Sequence, residues 1–151
     1  MVMSAPLVTT LKMLADAATG AADPWWIIGS AAVALHGGDV SDARDVDLLM
    51  SERDAEAFLR SVGVDWSKGA PSDRFHSPVF GVWHEPPLPV EAFGGFQLAT
   101  GDAWREVRFS SRDAIAVGGA TLYVPSVAEL RDLLHSFGRT KDLKRASLLG
   151  A

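Results

Sequence analysis

Two aspartates, Asp45 and Asp47, stand at the start of an otherwise apolar segment that runs to Met50 and reads Asp-Val-Asp-Leu-Leu-Met. The short apolar run predicts a buried β-strand over residues 45–50. Because side chains alternate between the two faces of a strand, both carboxylates must lie on one face, roughly 6.5 to 7 Å apart along the chain. A chain that folds this segment must therefore accommodate two like charges beside a hydrophobic core.

Two interpretations of this pair remain open from the spacing alone. The aspartates are either solvated charges at a strand start or ligands that share a divalent cation. Hard carboxylate oxygens favour Mg²⁺ or Mn²⁺ over softer metals. The sequence contains no cysteine, which excludes disulfides, thiolate zinc sites and a cysteine nucleophile, so any metal must be held by oxygen or imidazole.

A Gly-Ser pair at residues 29 and 30 follows the apolar run Trp-Trp-Ile-Ile, which predicts a buried strand turning tightly into a helix that ends near Gly37. The exposed N–H groups and positive dipole end of such a helix attract phosphate. Ser30 is therefore either a phosphate contact or simply the residue that caps the helix. The combination of this turn with the aspartate pair favours a phosphate site.

The rest of the chain alternates helical and extended patterns. Helices are predicted over residues 7–18, with apolar residues facing the core, over 51–62, and from a capping box at Ser126 to Glu129 as far as Gly138. A last short helix is predicted with Thr140 as its cap. Strand pairs are predicted over 77–83 with 88–93, and as a hairpin around Gly118-Gly119. This order predicts an α/β (α+β) fold with a mixed β-sheet flanked by helices, forming one domain over residues 1–151.

Glu91 lies inside one of the predicted strands, in Val-Glu-Ala, and is the candidate third carboxylate if its strand neighbours residues 45–50. The alternative for Glu91 is a surface charge on an edge strand. Asp65 is a second, weaker candidate because it follows a helix directly. Arg44 and Lys141 are candidate phosphate contacts, with a solvated loop arginine and an ordinary surface lysine as the alternatives.

Composition limits the classes of partner and compartment. The formal net charge is −5, from 14 Lys and Arg against 19 Asp and Glu, which is not the basic balance of a dedicated nucleic-acid-binding protein. The N-terminal 20 residues have neither a basic leader nor an uninterrupted apolar run, so we expect no membrane partner and a cytoplasmic protein. The four histidines show no metal-ligand spacing, and none is assigned to chemistry.

Taken together, these motifs resemble the nucleotidyltransferase superfamily of DNA polymerase β type. Its signature is an apolar residue, Gly, Gly or Ser, a spacer, and then Asp-apolar-Asp/Glu-apolar, which reads here Ile28-Gly29-Ser30 and Asp45-Val46-Asp47-Leu48. The small single-domain members, namely minimal nucleotidyltransferases and nucleotidyltransferase-like proteins of toxin–antitoxin pairs, are most similar in size. Members of the superfamily also carry a later carboxylate and a C-terminal Arg/Lys-Asp helix, which Glu91 and residues 139–142 match.

The resemblance implies a site and a reaction. Asp45, Asp47 and Glu91 are expected to be catalytic metal ligands for Mg²⁺ or Mn²⁺, while Gly29, Ser30, Arg44 and Lys141 are expected to contact a nucleoside triphosphate (NTP), which is the substrate. The reaction is transfer of a nucleoside monophosphate (NMP) to an acceptor hydroxyl with release of pyrophosphate. The acceptor is a protein, a tRNA or a small molecule. The alternative is a non-catalytic protein that binds a nucleotide or a cognate toxin or antitoxin.

Overall fold

The structure, a computed structural model, describes residues 3–40, 43–67 and 75–150. The helices in this part of the chain are α1 (Ala5–Ala17), α2 (Gly29–Leu35), α3 (Glu52–Ser61), α4 (Val127–Phe137) and α5 (Thr140–Ser147). The strands are β1 (Trp26–Ile28), β2 (Val46–Met50), β3 (Phe75–His76), β4 (Val79–Trp83), β5 (Val90–Gly94), β6 (Gln97–Thr100), β7 (Ala103–Glu106), β8 (Asp113–Val117) and β9 (Ala120–Val124). The predicted α+β class is confirmed.

Four strands form a central mixed sheet in the order β1-β2-β5-β4. The strands β2 and β5 run parallel, whereas β1 pairs antiparallel with β2 and β4 pairs antiparallel with β5. The predicted pairing of residues 77–83 with 88–93 is therefore confirmed. Because β5 has a neighbour on each side, Glu91 lies on an interior strand, which removes the edge-strand alternative.

One face of the central sheet forms the core. Four alternate residues of β2 and β5 have 0% of their surface exposed: Val46, Leu48, Val90 and Ala92. The helix α3 packs on this face because small residues allow close approach: a Cβ atom added at Gly81 would lie 2.8 Å from Leu59, and one added at Gly94 would lie 2.7 Å from Ala55. The apolar residues of α1, Leu7, Leu11 and Leu14, are also buried, as predicted.

The helix ends follow the sequence signals with two corrections. The Ser51 and Ser126 side chains accept hydrogen bonds from the third helical residue, and Gly138 closes α4 in the left-handed conformation at φ +70°. The Glu129 carboxylate, however, accepts from the backbone N–H groups of Ser110 and Ser111 and not from Ser126, so the predicted capping box is only half formed. The N-cap of α5 is Arg139 rather than Thr140, because Asp142 reaches back to it.

A three-stranded sheet in the order β3-β6-β7 is absent from the sequence prediction. All four residues of β7 are exposed and those of β6 are only partly covered, so neither strand shows the alternation of apolar and polar residues that marks a half-buried strand. The predicted hairpin around Gly118-Gly119 is confirmed as β8 and β9. No helix in residues 3–40, 43–67 or 75–150 is long and apolar enough to cross a membrane.

Candidate active site

The sheet register brings the candidate carboxylates together. Asp47 on β2 lies directly opposite Glu91 on the parallel neighbour β5, and Asp45 immediately precedes β2. One carboxylate oxygen from each residue lies within 4.8 Å of the other two. The three side chains therefore form one acidic cluster. Asp45 and Asp47 come from the start of β2, and Glu91 comes from β5, which follows β2 only after a long crossover connection.

Burial and mutual repulsion make this cluster costly to ionise without a counter-charge. The pKa of Asp47 is raised well above its usual value by burial, then by the adjoining Glu91 carboxyl and by Asp45. The pKa of Asp45 is raised by burial and by Glu91, against the opposing effect of Arg145 and Lys141. The Oδ1 atom of Asp47 is buried and has no hydrogen-bond partner among the residues that the structure describes.

These properties fit a divalent cation. A buried carboxylate oxygen without a donor costs free energy unless a cation or proton occupies the space beside it. The cluster offers hard oxygen ligands at a mutual spacing that one ion can bridge, which is the donor set preferred by Mg²⁺ and Mn²⁺. The chemistry of the residues thus agrees with a metal centre on this face of the sheet.

Gly29, which was expected to contact phosphate, packs directly against Asp47 of the acidic cluster. It is the first residue of α2, has a φ of +69°, and a Cβ atom added there would lie 2.8 Å from Asp47 Oδ2. The glycine thus makes room for a carboxylate as well as allowing the turn. Ser30 is buried in the first turn of α2, and neither residue lines the cavity described next.

A cavity of about 420 Å³ opens over the cluster. Its cationic side chains come from the loop before β2 and from the C-terminal helix: Arg44, Arg139, Lys141 and Arg145. Its aromatic residues are Phe75, Phe93, Phe96 and Phe137. The predicted residues Arg44 and Lys141 are thus placed at the cavity with the three carboxylates.

Sequence reasoning missed Arg139 and Arg145 as cavity residues. A signal for Arg145 was present, because it follows Lys141 by four positions and therefore lies on the same face of α5. Arg139 was noted only as part of a motif. Its guanidinium donates to both oxygens of the buried Asp142, at 2.5 and 3.0 Å, which fixes its position at the N-terminal end of α5. The contact joins residues only three positions apart, so the spacing of Arg139 and Asp142 was the signal that could have indicated it.

Other candidates lie elsewhere. Asp65 is exposed and does not belong to the acidic cluster. His36 contacts the Pro125 carbonyl oxygen at 2.7 Å, which is a structural role. A larger cavity of about 810 Å³ lies between α1 and the β8–β9 hairpin, but the residues described there include no group of three metal-ligating side chains. The smaller cavity, which lies next to Asp45, Asp47 and Glu91, is therefore the candidate active site because of its chemical groups and not because of its size.

The sequence matches no protein-family model and no curated protein. Solved structures do match it. A protein from Thermotoga maritima, described as a nucleotidyltransferase, is 20% identical, with 94% of this chain and 91% of that chain covered and a TM-score of 0.79.

Two proteins named for antibiotic resistance or for adenylylation of an antibiotic also have similar structures. The antibiotic-resistance factor ANT(2'')-Ia is 16% identical, with 97% of this chain and 84% of that chain covered and a TM-score of 0.62. A lincosamide antibiotic adenylyltransferase bound to lincomycin is 14% identical, with 83% and 85% covered and a TM-score of 0.52. At these identities the likeness establishes the fold, and the fold is that of the nucleotidyltransferases.

Proposed function

We propose that this chain, which has the nucleotidyltransferase fold, is a metal-dependent enzyme that transfers NMP from an NTP to an acceptor hydroxyl and releases pyrophosphate. The observation that carries the proposal is the pairing of Asp47 with Glu91 across two parallel strands, with Asp45 beside them, under a cavity lined by four cationic side chains. Transfer of a phosphoryl group depends mainly on positioning and charge neutralisation, and this arrangement supplies both.

In this proposal Asp45, Asp47 and Glu91 hold Mg²⁺ or Mn²⁺. When bound, the cation neutralises the charge that develops on the phosphate oxygens and polarises the phosphorus centre. The unpartnered Oδ1 of Asp47 supports this assignment, because a cation satisfies the oxygen without a hydrogen-bond donor. Lys141 and Arg145 line the same cavity from α5, and their charges act on Asp45, which supports a role for both in binding the triphosphate.

The reaction balances with the groups present. The acceptor oxygen forms a bond to the α-phosphorus of the NTP, while the bond from that phosphorus to the bridging oxygen of pyrophosphate breaks. The proton of the acceptor hydroxyl passes to the Glu91 carboxylate, which acts as general base. Arg44 completes the cationic wall from the loop before β2, and Gly29 at the start of α2 leaves the space that the Asp47 carboxylate occupies.

Among the possible acceptors, the comparisons favour a small molecule. The similar structures include an enzyme named for adenylylation of lincosamides and one bound to adenylyl-2''-tobramycin. None of the similar proteins named above is described as a toxin or an antitoxin. We therefore place a hydroxyl of a small molecule at Glu91, with a protein or tRNA hydroxyl as outcomes that the following experiment distinguishes.

The test is to incubate the protein with each α-labelled NTP, with Mg²⁺ or Mn²⁺, and with fractionated cell extract. Pyrophosphate release is measured together with the transfer of label to protein, RNA and small molecules. We expect Asp47→Asn to lower the rate by about 10² to 10³, or roughly 3 to 4 kcal/mol, because it removes charge at the centre of the cluster.

Asp102→Asn is the matched control, since Asp102 is an exposed aspartate in the β6–β7 turn. We expect this variant to keep the wild-type rate. Label on a small molecule supports the proposal as stated, and label on protein or RNA keeps the activity but changes the acceptor. A folded wild type that releases no pyrophosphate with any NTP and either metal shows that the chain is not an enzyme of this kind.

A further inference from the structure

The cavity over the acidic cluster has two chemically different ends. Glu91 and Phe93 project from the same face of β5 because they are two residues apart, which separates them by roughly 6.5 to 7 Å along the strand. The Glu91 end carries the three carboxylates and receives Lys141 and Arg145, whereas the Phe93 end is aromatic. A ligand that spans the cavity therefore meets charge at one end and flat apolar surface at the other.

The aromatic end is a continuous wall of rings. Phe93 lies 5.2 Å from Phe96 between ring centroids, Phe96 stacks on Phe75 at 5.9 Å, and Phe75 meets Phe137 edge to face at 5.1 Å. Phe96 and Phe137 are buried, and Phe75 and Phe93 are partly exposed. Such interlocked rings hold a fixed surface, against which a planar or apolar group can pack without ordering new side chains.

Arg139 extends this wall without adding a free charge. Its guanidinium carbon lies 5.2 Å from the ring centre of Phe75 and 5.7 Å from that of Phe137, and its fork is bonded to Asp142, which is 1% exposed. A guanidinium held in this way offers a flat surface for stacking, while its charge is balanced by the buried carboxylate.

The charges around the cavity disfavour a polycationic acceptor. Of the described residues that line the cavity, the only carboxylates are Asp45, Asp47 and Glu91, and the proposed function commits these to metal. Arg44, Lys141 and Arg145 add positive charge on the same cavity wall. An acceptor with several ammonium groups would therefore find, among the described residues of the cavity wall, no carboxylate that the proposed metal leaves free to bind them.

We propose, on the basis of the function proposed above, that the acceptor is a small hydroxyl compound with a planar or apolar group and without a cluster of positive charges. The planar group lies against Phe93 and the rings behind it, and the reacting hydroxyl lies at Glu91. The separation between Glu91 and Phe93 fits a ring and a hydroxyl in one compact molecule.

Three defined compounds test this inference. Phenyl β-D-glucoside carries hydroxyls and an aromatic ring, methyl β-D-glucoside carries the same hydroxyls without the ring, and tobramycin carries hydroxyls on a polycation. Binding of each to the full chain is measured by calorimetry with Mg²⁺ and a non-transferable NTP analogue present. We expect the phenyl glucoside to bind about tenfold more tightly than the methyl glucoside, and tobramycin to bind more weakly than both.

Phe93→Leu should abolish most of this preference, because leucine keeps apolar volume but removes the flat ring. Phe80→Leu is the matched control: Phe80 lies opposite Phe93 on β4, with ring centroids 5.0 Å apart, but does not line the cavity. Thermal unfolding of both variants verifies that each remains folded. The preference should survive in Phe80→Leu.

Equal binding of the two glucosides, or tighter binding of tobramycin, overturns the inference. So does a Phe93→Leu variant that loses affinity for the NTP analogue but keeps the preference for the phenyl glucoside, because the wall would then hold the nucleobase. In each case pyrophosphate release by the wild type, and its loss in Asp47→Asn, decides the proposed function separately. Failure of the acceptor class is thus distinguishable from failure of the enzyme.

Discussion

The two faces of the central sheet are built from alternate residues of the same strands, yet they differ in what they contribute. On one face Val46, Leu48, Val90 and Ala92 are fully buried against the core. On the other face Asp47, Glu91 and Phe93 are partly exposed, and one buried oxygen of Asp47 has no hydrogen-bond partner in the described part of the chain. Neighbouring residues of β2 thus have opposite effects on stability: Val46 and Leu48 stabilise the fold, whereas Asp47 between them destabilises it when no cation is bound.

The residues on the two faces of β2 therefore have different roles. The core face provides the apolar burial that holds β2 and β5 in register, and the register in turn holds Asp47 opposite Glu91. Asp45 and Asp47 gain no stability from their own positions in the absence of a cation, because burial and like charge raise the pKa of each. The site is therefore maintained by residues that take no part in its chemistry.

The largest expected effect is on the core face. Leu48→Ala removes a fully buried side chain from the middle of β2 and should lower the free energy of unfolding by about 2–5 kcal/mol, as measured by urea denaturation. Leu143→Ala, at a position that is 48% exposed on α5, serves as the control and should change it by less than about 0.5 kcal/mol. A Leu48→Ala variant of wild-type stability would mean that the two faces do not differ as described.

The backbone of Gly29 lies directly against the Asp47 carboxylate. Gly29→Ala places a Cβ atom at positive φ, which costs about 1–2 kcal/mol of stability, and also forces the Asp47 carboxylate to move. Gly119→Ala, at φ +84° with no atom within 4 Å of the added Cβ, should carry the same backbone cost alone.

Thermal unfolding with and without Mg²⁺ separates the two effects. We expect Mg²⁺ to raise the Tm of wild type and Gly119→Ala, since a ligand of the folded state stabilises it, and to raise that of Gly29→Ala much less. An equal Mg²⁺-dependent shift in both variants would show that Gly29 serves only the turn.

The smallest expected effect is the pH dependence of the metal-free protein. Asp47 has a folded-state pKa raised above its unfolded value, so between the two values the folded state binds more protons and stability falls as pH rises. Asp45 acts in the same direction, with Arg145 opposing both. Asp47→Asn resembles the protonated carboxyl and should be more stable than wild type in EDTA, by a difference that grows with pH above about 4.

Urea denaturation from pH 4.5 to 8 measures this difference, which should grow by at most about 1.4 kcal/mol per pH unit for one proton. Comparison with wild type removes the contributions of carboxyl groups that are common to both proteins. Saturating Mg²⁺ should stabilise the wild type and not the variant. If the difference in free energy of unfolding stays constant over this range, or if wild type is the more stable protein in EDTA, then ionised Asp47 does not destabilise the metal-free protein as proposed.

Local sequence patterns predicted the parts of this fold that local physics determines. The spacing of Leu7, Leu11 and Leu14 indicated α1, and the alternation in Asp-Val-Asp indicated that Asp45 and Asp47 share a face. The family resemblance added Glu91 as the third carboxylate and supported Lys141, whereas Arg44 was inferred from its position beside Asp45. The structure brings all three residues to one cavity. Their roles in binding and catalysis stay predictions, as does the organisation of residues 1–151 as one domain.

Contacts between distant residues were the ones that could not be predicted. The rings of Phe75, Phe96 and Phe137 are separated by 62 residues of chain from first to last and meet only in the tertiary structure. The exposed strands β6 and β7 lack an apolar face, so periodicity gave no signal for them. The Glu129 carboxylate found partners at Ser110 and Ser111, which no rule about the start of a helix includes.

The parallel pairing of β2 with β5 also has a kinetic consequence. The β8–β9 hairpin closes over two glycines, whereas Asp47 and Glu91 are 44 positions apart in the sequence. Each doubling of the length of such a loop adds about 0.6 kcal/mol of closure entropy. Lys141 and Arg145 arrive later still along the chain. During refolding of the full chain, the hairpin can therefore form early, while the acidic cluster and the cationic side chains of α5 come together later.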